Sequence, residues 1–233
     1  MNPTRPVVLG TRGSRLALTQ AEVCAQRLRA TGLAVEVRVV KTTSEHHPDL
    51  PLSVIDQRDV FTRQLDEALL SAEISLAVHS LKDVPTEIPE GIVLARAGLI
   101  RLGLDVPHTV MMPEIMLPAV GQGALAVATL EVHPLRGIIR ETFNHEPTEA
   151  SVRAERAMLD ALEGGCRVPV GALGRAVDDE IWLEGMVASV DGAILYRGEA
   201  VGKEPIEVGS RLAWDLLERG ASVVLDELRE VRR

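Results

Sequence analysis

The sequence predicts an α/β domain followed by a small α+β domain with a three-stranded sheet. Two observations carry that expectation. Short apolar runs alternate with helical spacings through the first half, whereas from about Thr148 a helix, three grouped strand-like runs and a second helix follow one another. At 233 residues, 46% apolar and 25% charged, the chain is long enough for one or two domains with real cores.

The first half opens on "PVVLG", a short strand. Ser14 then caps a helix over Arg15–Ala30, with Leu16, Ala17, Ala21, Cys24 and Leu28 near one face and Gly32 just past its end. "VEVRVVKTT" alternates from Val35 as a strand does, and the polar loop "SEHHPDLP" follows. "DVFTRQLDEALLSA" has Phe61, Leu65 and Leu69 at helical spacing, and "ISLAVHS" is a buried strand ending at His79–Ser80. Strands alternating with helices imply a parallel-rich sheet with crossover helices. In the second half, "PTEASVRAERAMLDALEGG" is a helix stopped by Gly164–Gly165. Three strands follow, "VGALGRAV", "EIWLEGMVAS" and "AILYRGEAVG", the last pair joined at Asp191–Gly192. "IEVGSRLAWDLLERG" closes the chain as an amphipathic helix.

Composition excludes several functions. Aromatic residues are only 2%, too few for the stacking platforms of single-strand nucleic-acid binding. A net charge of -9 opposes a nucleic-acid or anionic-membrane surface, so an anionic ligand must be caught by local cations. Lys41, Lys82 and Lys203 are the lysines among 25 basic residues, and the rest are arginines, suited to two-pronged carboxylate contacts. Nothing in "MNPTRPVVLG" reads as a signal peptide, and no run reaches the length of a membrane span. Two cysteines without a CxxC spacing suggest a reducing compartment, so the expected location is the cytoplasm.

Four stretches could carry chemistry. Cys166 follows two glycines and precedes Arg167 and Pro169, which sets its thiol in a loop within reach; the competing reading is a small buried hydrophobe. Cys24 fits that second reading, lying on the apolar face of its helix. In "HSLKDVP", His79–Pro85, a strand runs out into Lys82 and Asp83, which puts polar side chains at the carboxyl end of a sheet. A Lys82–Asp83 pairing keeps Asp83 ionised and able to steady a cation or carry a proton, unless this is only a solvated turn. "GTRGSRLAL" leads from a strand into a helix start, where backbone N–H groups at Gly13 and Ser14, with Arg12 and Arg15 nearby, suit a carboxylate or phosphate. "AVGQGALA" sets Gln122 between glycines, as a close-approach loop or an interdomain crossing. His46–His47 with Glu45 and Asp49 lack a metal-ligand spacing, so no metal is expected.

Together, "GTRGSRLALTQA", "AVHSLKDVPTEIPEG", "AGLIRLGL", "MLPAVGQGALA" and "AERAMLDALEGGCRVPVGA" resemble the porphobilinogen deaminase (hydroxymethylbilane synthase) family, in the family's order and over most of the chain. The resemblance implies a periplasmic-binding-protein-like parallel-rich sheet architecture and a monomeric transferase of tetrapyrrole and heme biosynthesis. That family joins four porphobilinogen units head to tail and releases ammonia at each addition. It builds on a dipyrromethane cofactor held by a thioether to one cysteine, which by position is Cys166. The family's catalytic aspartate maps to Asp83, whose carboxylate stabilises positive pyrrole nitrogens. Arg12, Ser14, Lys82 and Arg101 match positions that hold carboxylates of cofactor and substrate, and the resemblance also assigns Ser80, in the same motif as Asp83, and Gln122, at a position lining the cleft, to the cofactor.

Two departures stand out. After "GIVLARA" the family continues into a long segment carrying Gly-Thr-Ser-Ser-Leu-Arg-Arg, whereas here Ala97 runs straight into Gly98. Several tens of residues, most of the family's second domain, are missing, and several cleft arginines with them. The flanking motifs are intact, which favours two pieces joined across an omitted segment over a true deletion. The expected domains are therefore 1–97 with 123–147, a remnant of a second domain at 98–122, and a C-terminal domain at 148–233. In addition, the family's Gly-Gly-Lys-Gly-Leu-Phe loop reads Asp56–Gln57–Arg58–Asp59–Val60–Phe61, with Arg58 in place of the lysine's charge. Two alternatives to the active transferase stand beside it: a shortened chain that binds dipyrromethane or a tetrapyrrole without elongating, and an unrelated small-anion binding protein.

Overall fold

The computed structural model describes residues 6–41, 63–80, 111–162 and 169–230. These fall into two compact units, one of 6–41, 63–80 and 125–144, the other of 111–124, 145–162 and 169–230. The described part of the 98–122 stretch therefore groups with the C-terminal unit.

The first unit is a four-stranded sheet. Its strands are β1 (Val7–Thr11), β2 (Val35–Val39), β3 (Leu76–Ser80) and β4 (Leu125–Ala128), in the order β2-β1-β3-β4. β1 pairs in parallel with β2 and β3, and β4 runs antiparallel to β3. The sequence gives no warning of β4, whose four residues are all half-buried and lack strand alternation. Helices α1 (Arg15–Ala30) and α2 (Arg63–Leu70) cover opposite faces, because strand side chains alternate. Val7, Leu9, Leu76 and Val78 pack with Ala21, Cys24 and Leu28 of α1, together with Leu135 and Ile139 beside and within α3 (Arg136–Phe143). Val8 and Ala77 point the other way, onto Leu65, Ala68 and Leu69 of α2. Burying each such leucine contributes about 1.5–3 kcal/mol.

The inward face of α1 differs from the expected stripe. Leu16 and Ala17 are only half-buried, while Gln20 and Ala25 join Ala21, Cys24 and Leu28 inside. Phe61 and the 56–61 loop lie outside the described residues.

The second unit is an antiparallel meander, β5 (Val170–Val177), β6 (Glu180–Ala188) and β7 (Leu195–Gly202). Ile181, Leu183, Gly185 and Val187 of β6 face inward and alternate with outward Trp182, Glu184 and Met186. Asp178 and Asp179, both left-handed at φ 47° and 63°, make the two-residue turn between β5 and β6. The β6–β7 connection does turn at Asp191–Gly192, with Gly192 at φ 71°, but it is a longer loop closed by Ser189 N–H donating to Ile194 O. Helices α4 (Glu146–Ala161) and α5 (Pro205–Leu216) supply Met158, Leu159, Val208, Leu212 and Leu216 to the core. Beyond α5 the chain kinks at Gly220, φ 113°, and continues into α6 (Ser222–Glu230), which adds Val224 and Leu225. No helix among the described residues is long and apolar enough to cross a membrane.

Candidate functional site

In the first unit the chain leaves β1 for β2 on one side and later returns to β3 on the other. β1 and β3 thus lie side by side at the point where the sheet order reverses, and open α/β sheets bind ligands beyond the carboxyl ends of such strands. Three of the expected residues sit at that edge. Arg12, half-buried, and Ser14, exposed, follow the end of β1, and Ser80, half-buried, ends β3.

Local bonding explains how this edge is held. Thr11 is fully buried and its hydroxyl donates to Ala17 O at 3.2 Å, turning the chain into α1. Ser14 is the cap of α1, extended at φ -64° and ψ 145°, with its hydroxyl accepting from Ala17 N–H at 3.2 Å. A hydroxyl that accepts in the cap keeps a proton to donate to an anion. Ser80 donates to Gln20 Oε1 at 3.0 Å, which ties the end of β3 to α1. Gln20 was missing from the sequence expectation. Its signal was a polar side chain one position before Ala21 on the buried stripe. Lys82 and Asp83 continue the chain directly from Ser80 and, like Arg101, Cys166 and the Ala97–Gly98 junction, lie outside the described residues.

Cys24 shows what the other cysteine does. It is buried, and burial pushes its thiol up to about 11 against the weaker opposite pull of Arg27, so it stays protonated and unreactive.

Gln122 belongs to the second unit, half-buried in a turn between Gly121 and Gly123, both left-handed at φ 70° and 92°. The turn is closed by Gln122 N–H donating to Ala119 O at 2.9 Å. Just before it, Ala172 N–H of β5 donates to Pro118 O at 2.9 Å, and Ala119 bridges Gly171. Arg197 of β7 holds the start of this segment by donating to the carbonyls of Pro113 and Glu114, both at 2.7 Å. Residues 111–124 are therefore anchored on the C-terminal sheet.

A residue outside the expected set anchors the same turn. Glu155 of α4 is buried, and its carboxylate accepts from Gly121 N–H at 2.7 Å and from Gly174 N–H at 2.8 Å, one on each oxygen. Burial pushes its pKa up, and the hydrogen bonds from Gly174 and Gly121 pull it back. Nothing in the periodicity singles out this glutamate, because its partners lie far from it in sequence.

The donor set suits a ligand rich in carboxylates. Arg12, the capping Ser14 and the N-terminus of α1 follow one another at this sheet edge. Among the described residues no cluster of three or more His, Cys, Asp or Glu could hold a metal.

The comparisons match this architecture in order. Residues 7–93 and, again, 90–134 match the family model described as porphobilinogen deaminase, dipyromethane cofactor binding domain, and residues 150–218 match its C-terminal domain. The chain belongs to the porphobilinogen deaminase family. A porphobilinogen deaminase of Rubrobacter xylanophilus is 48% identical over 300 aligned positions, covering 97% of this chain and 98% of the relative. Those of Desulforudis audaxviator and Bacillus subtilis are 36% and 30% identical, each over 97% of this chain and 98% or 97% of their own. Because the chain has 233 residues and the alignments span 300 positions or more, the relatives carry an internal segment it lacks. The first-domain match breaks into two pieces that meet at residues 90–93, close to the Ala97–Gly98 junction.

Proposed function

We propose that this chain is a transferase that polymerises four porphobilinogen molecules head to tail into hydroxymethylbilane. The observation that carries it is the shared edge of β1 and β3. It gathers Arg12, Ser14 and Ser80, and Lys82 and Asp83 follow Ser80 in the sequence of a chain matched to the family over nearly its whole length. In each addition the aminomethyl C–N bond of porphobilinogen breaks and a C–C bond forms to a pyrrole carbon. That carbon loses its proton and ammonia leaves; after the fourth addition, hydrolysis of the C–C bond to the primer frees the product, water supplying its hydroxyl.

The dipyrromethane, linked through a thioether to Cys166, supplies the pyrrole carbon that accepts the first unit. Arg12, Lys82 and Arg101 hold carboxylates of cofactor and substrate by charge, and Ser14 by hydrogen bonding. Ser80 and Gln122 are each assigned to the cofactor. Asp83 stays ionised beside Lys82 and offsets positive charge on the pyrrole nitrogens as ammonia departs. An acidic protein handling a growing polyanion needs such local cations. In this reading the fold is periplasmic-binding-protein-like, and the enzyme is a cytoplasmic monomer.

Incubation with porphobilinogen tests this. The chain is expected to release four ammonia per hydroxymethylbilane, in keeping with the family's stoichiometry. Asp83→Asn should lower kcat by about 10²–10³-fold while intact mass still shows the dipyrromethane. Unchanged turnover in Asp83→Asn contradicts the role of Asp83. Cofactor in place without porphobilinogen consumption leaves only a chain that binds and does not elongate.

A further inference from the structure

The buried stripe of α4 consists of Ser151, Ala154, Glu155, Met158 and Leu159, so an acidic side chain stands where an apolar one would add to the core. Burying a carboxylate is costly unless its oxygens are satisfied. Here each oxygen takes one backbone N–H, and the two donors come from segments remote from each other in sequence, which also meet where Ala172 N–H donates to Pro118 O. Gly121 N–H, 2.7 Å from Oε2, belongs to the residue immediately before Gln122; Gly174 N–H, 2.8 Å from Oε1, belongs to β5. β5 can come this close only because residue 174 is glycine: a Cβ there would meet Ser151 O at 2.8 Å and Ser151 Cα at 3.0 Å. One carboxylate thus fixes the Gln122 turn to both α4 and β5, the two elements that flank the 163–168 stretch in the chain.

We propose that Glu155 is a positioning residue for Gln122: by holding Gly121 in its left-handed conformation it sets the direction in which the Gln122 side chain meets the cofactor. The proposal rests on the assignment of Gln122 to the cofactor cleft. Glu155 touches neither cofactor nor substrate in this account. It acts through the Gly121 amide, and the left-handed Gly123 on the far side of Gln122 completes the turn.

The test uses Glu155→Gln, Gln122→Ala and the double variant of the full chain, with two readouts. The first is hydrogen exchange of the apo-protein over residues 119–124. A glutamine has the same length but turns an NH2 toward one of the two backbone donors, so at most one bond survives. Exchange in the Gln122 turn should rise about tenfold in Glu155→Gln and stay unchanged in Gln122→Ala. The second is the rate at which apo-protein given porphobilinogen gains the dipyrromethane mass. Both single variants should load more slowly, and the double variant should load no more slowly than the slower single. Defects that multiply in the double variant, or unchanged exchange at 119–124 in Glu155→Gln, overturn the proposal. Wild-type loading in Gln122→Ala overturns it as well, but through Gln122 alone, which separates failure of the underlying assignment from failure of the Glu155 link. Should Glu155→Gln fold poorly, Glu155→Asp keeps the charge one methylene short and must show the same coupling to Gln122.

Discussion

The two units build their polar sites by different means. In the first, Arg12, Ser14 and Ser80 take their places from chain order: a strand ends, a helix begins, and adjacent parallel strands finish at one edge. In the second, Gln122 is placed by contacts between segments remote in sequence, through Glu155, Gly171, Ala172 and Arg197. A site at the end of a parallel sheet comes with the topology, whereas a turn laid on an antiparallel meander must be fastened by individual bonds.

A pair of glycine substitutions, one in each unit, sharpens the comparison. Gly209 of α5 lies against the backbone of α4. A Cβ there would run into Ala154 O and would meet Met158 N at 2.7 Å. Helix backbone cannot yield, so Gly209→Ala should cost about 3 kcal/mol of stability by denaturant unfolding. Gly10 of β1 is as crowded, but its nearest neighbours are the ends of Ile74 and Leu65 side chains. These can change rotamer, so Gly10→Ala should cost only about 1–2 kcal/mol. Equal losses would break the distinction between a site closed by side-chain ends and one closed by helix backbone.

A smaller effect is expected from the cap at the first unit's edge. Ser14→Ala removes the acceptor for Ala17 N–H and should lower stability by about 1 kcal/mol. If Ser14 also donates to a ligand carboxylate, the same variant should raise KM for porphobilinogen with little change in kcat. An unchanged KM would leave Ser14 a cap and nothing more.

How much of this was legible follows from the same division. The helix over Arg15–Ala30, its Ser14 cap, the parallel strands and the three-stranded meander all show in periodicity and turn residues, because those signals are local. Gln20 was missed because a polar residue on an apolar stripe reads as an interruption, and only the Ser80 hydroxyl at 3.0 Å gives it a purpose. Glu155 was missed for the same reason, its two amide partners being 34 and 19 residues away. β4 was hidden because its short, evenly half-buried run carries no alternation. The roles proposed for Asp83, Lys82, Arg101 and Cys166 rest on the family's motifs, since charge and spacing alone fit a solvated turn or a buried thiol as well.

The two cysteines give the most direct test. Cys24 is sealed in the first core with its thiol pushed up to about 11, and the proposed function assigns the dipyrromethane to Cys166. Intact mass of the purified chain should exceed the chain's own mass by one dipyrromethane. That excess should vanish in Cys166→Ala and persist in Cys24→Ala. A bare chain mass, or an adduct that survives Cys166→Ala, would contradict the account.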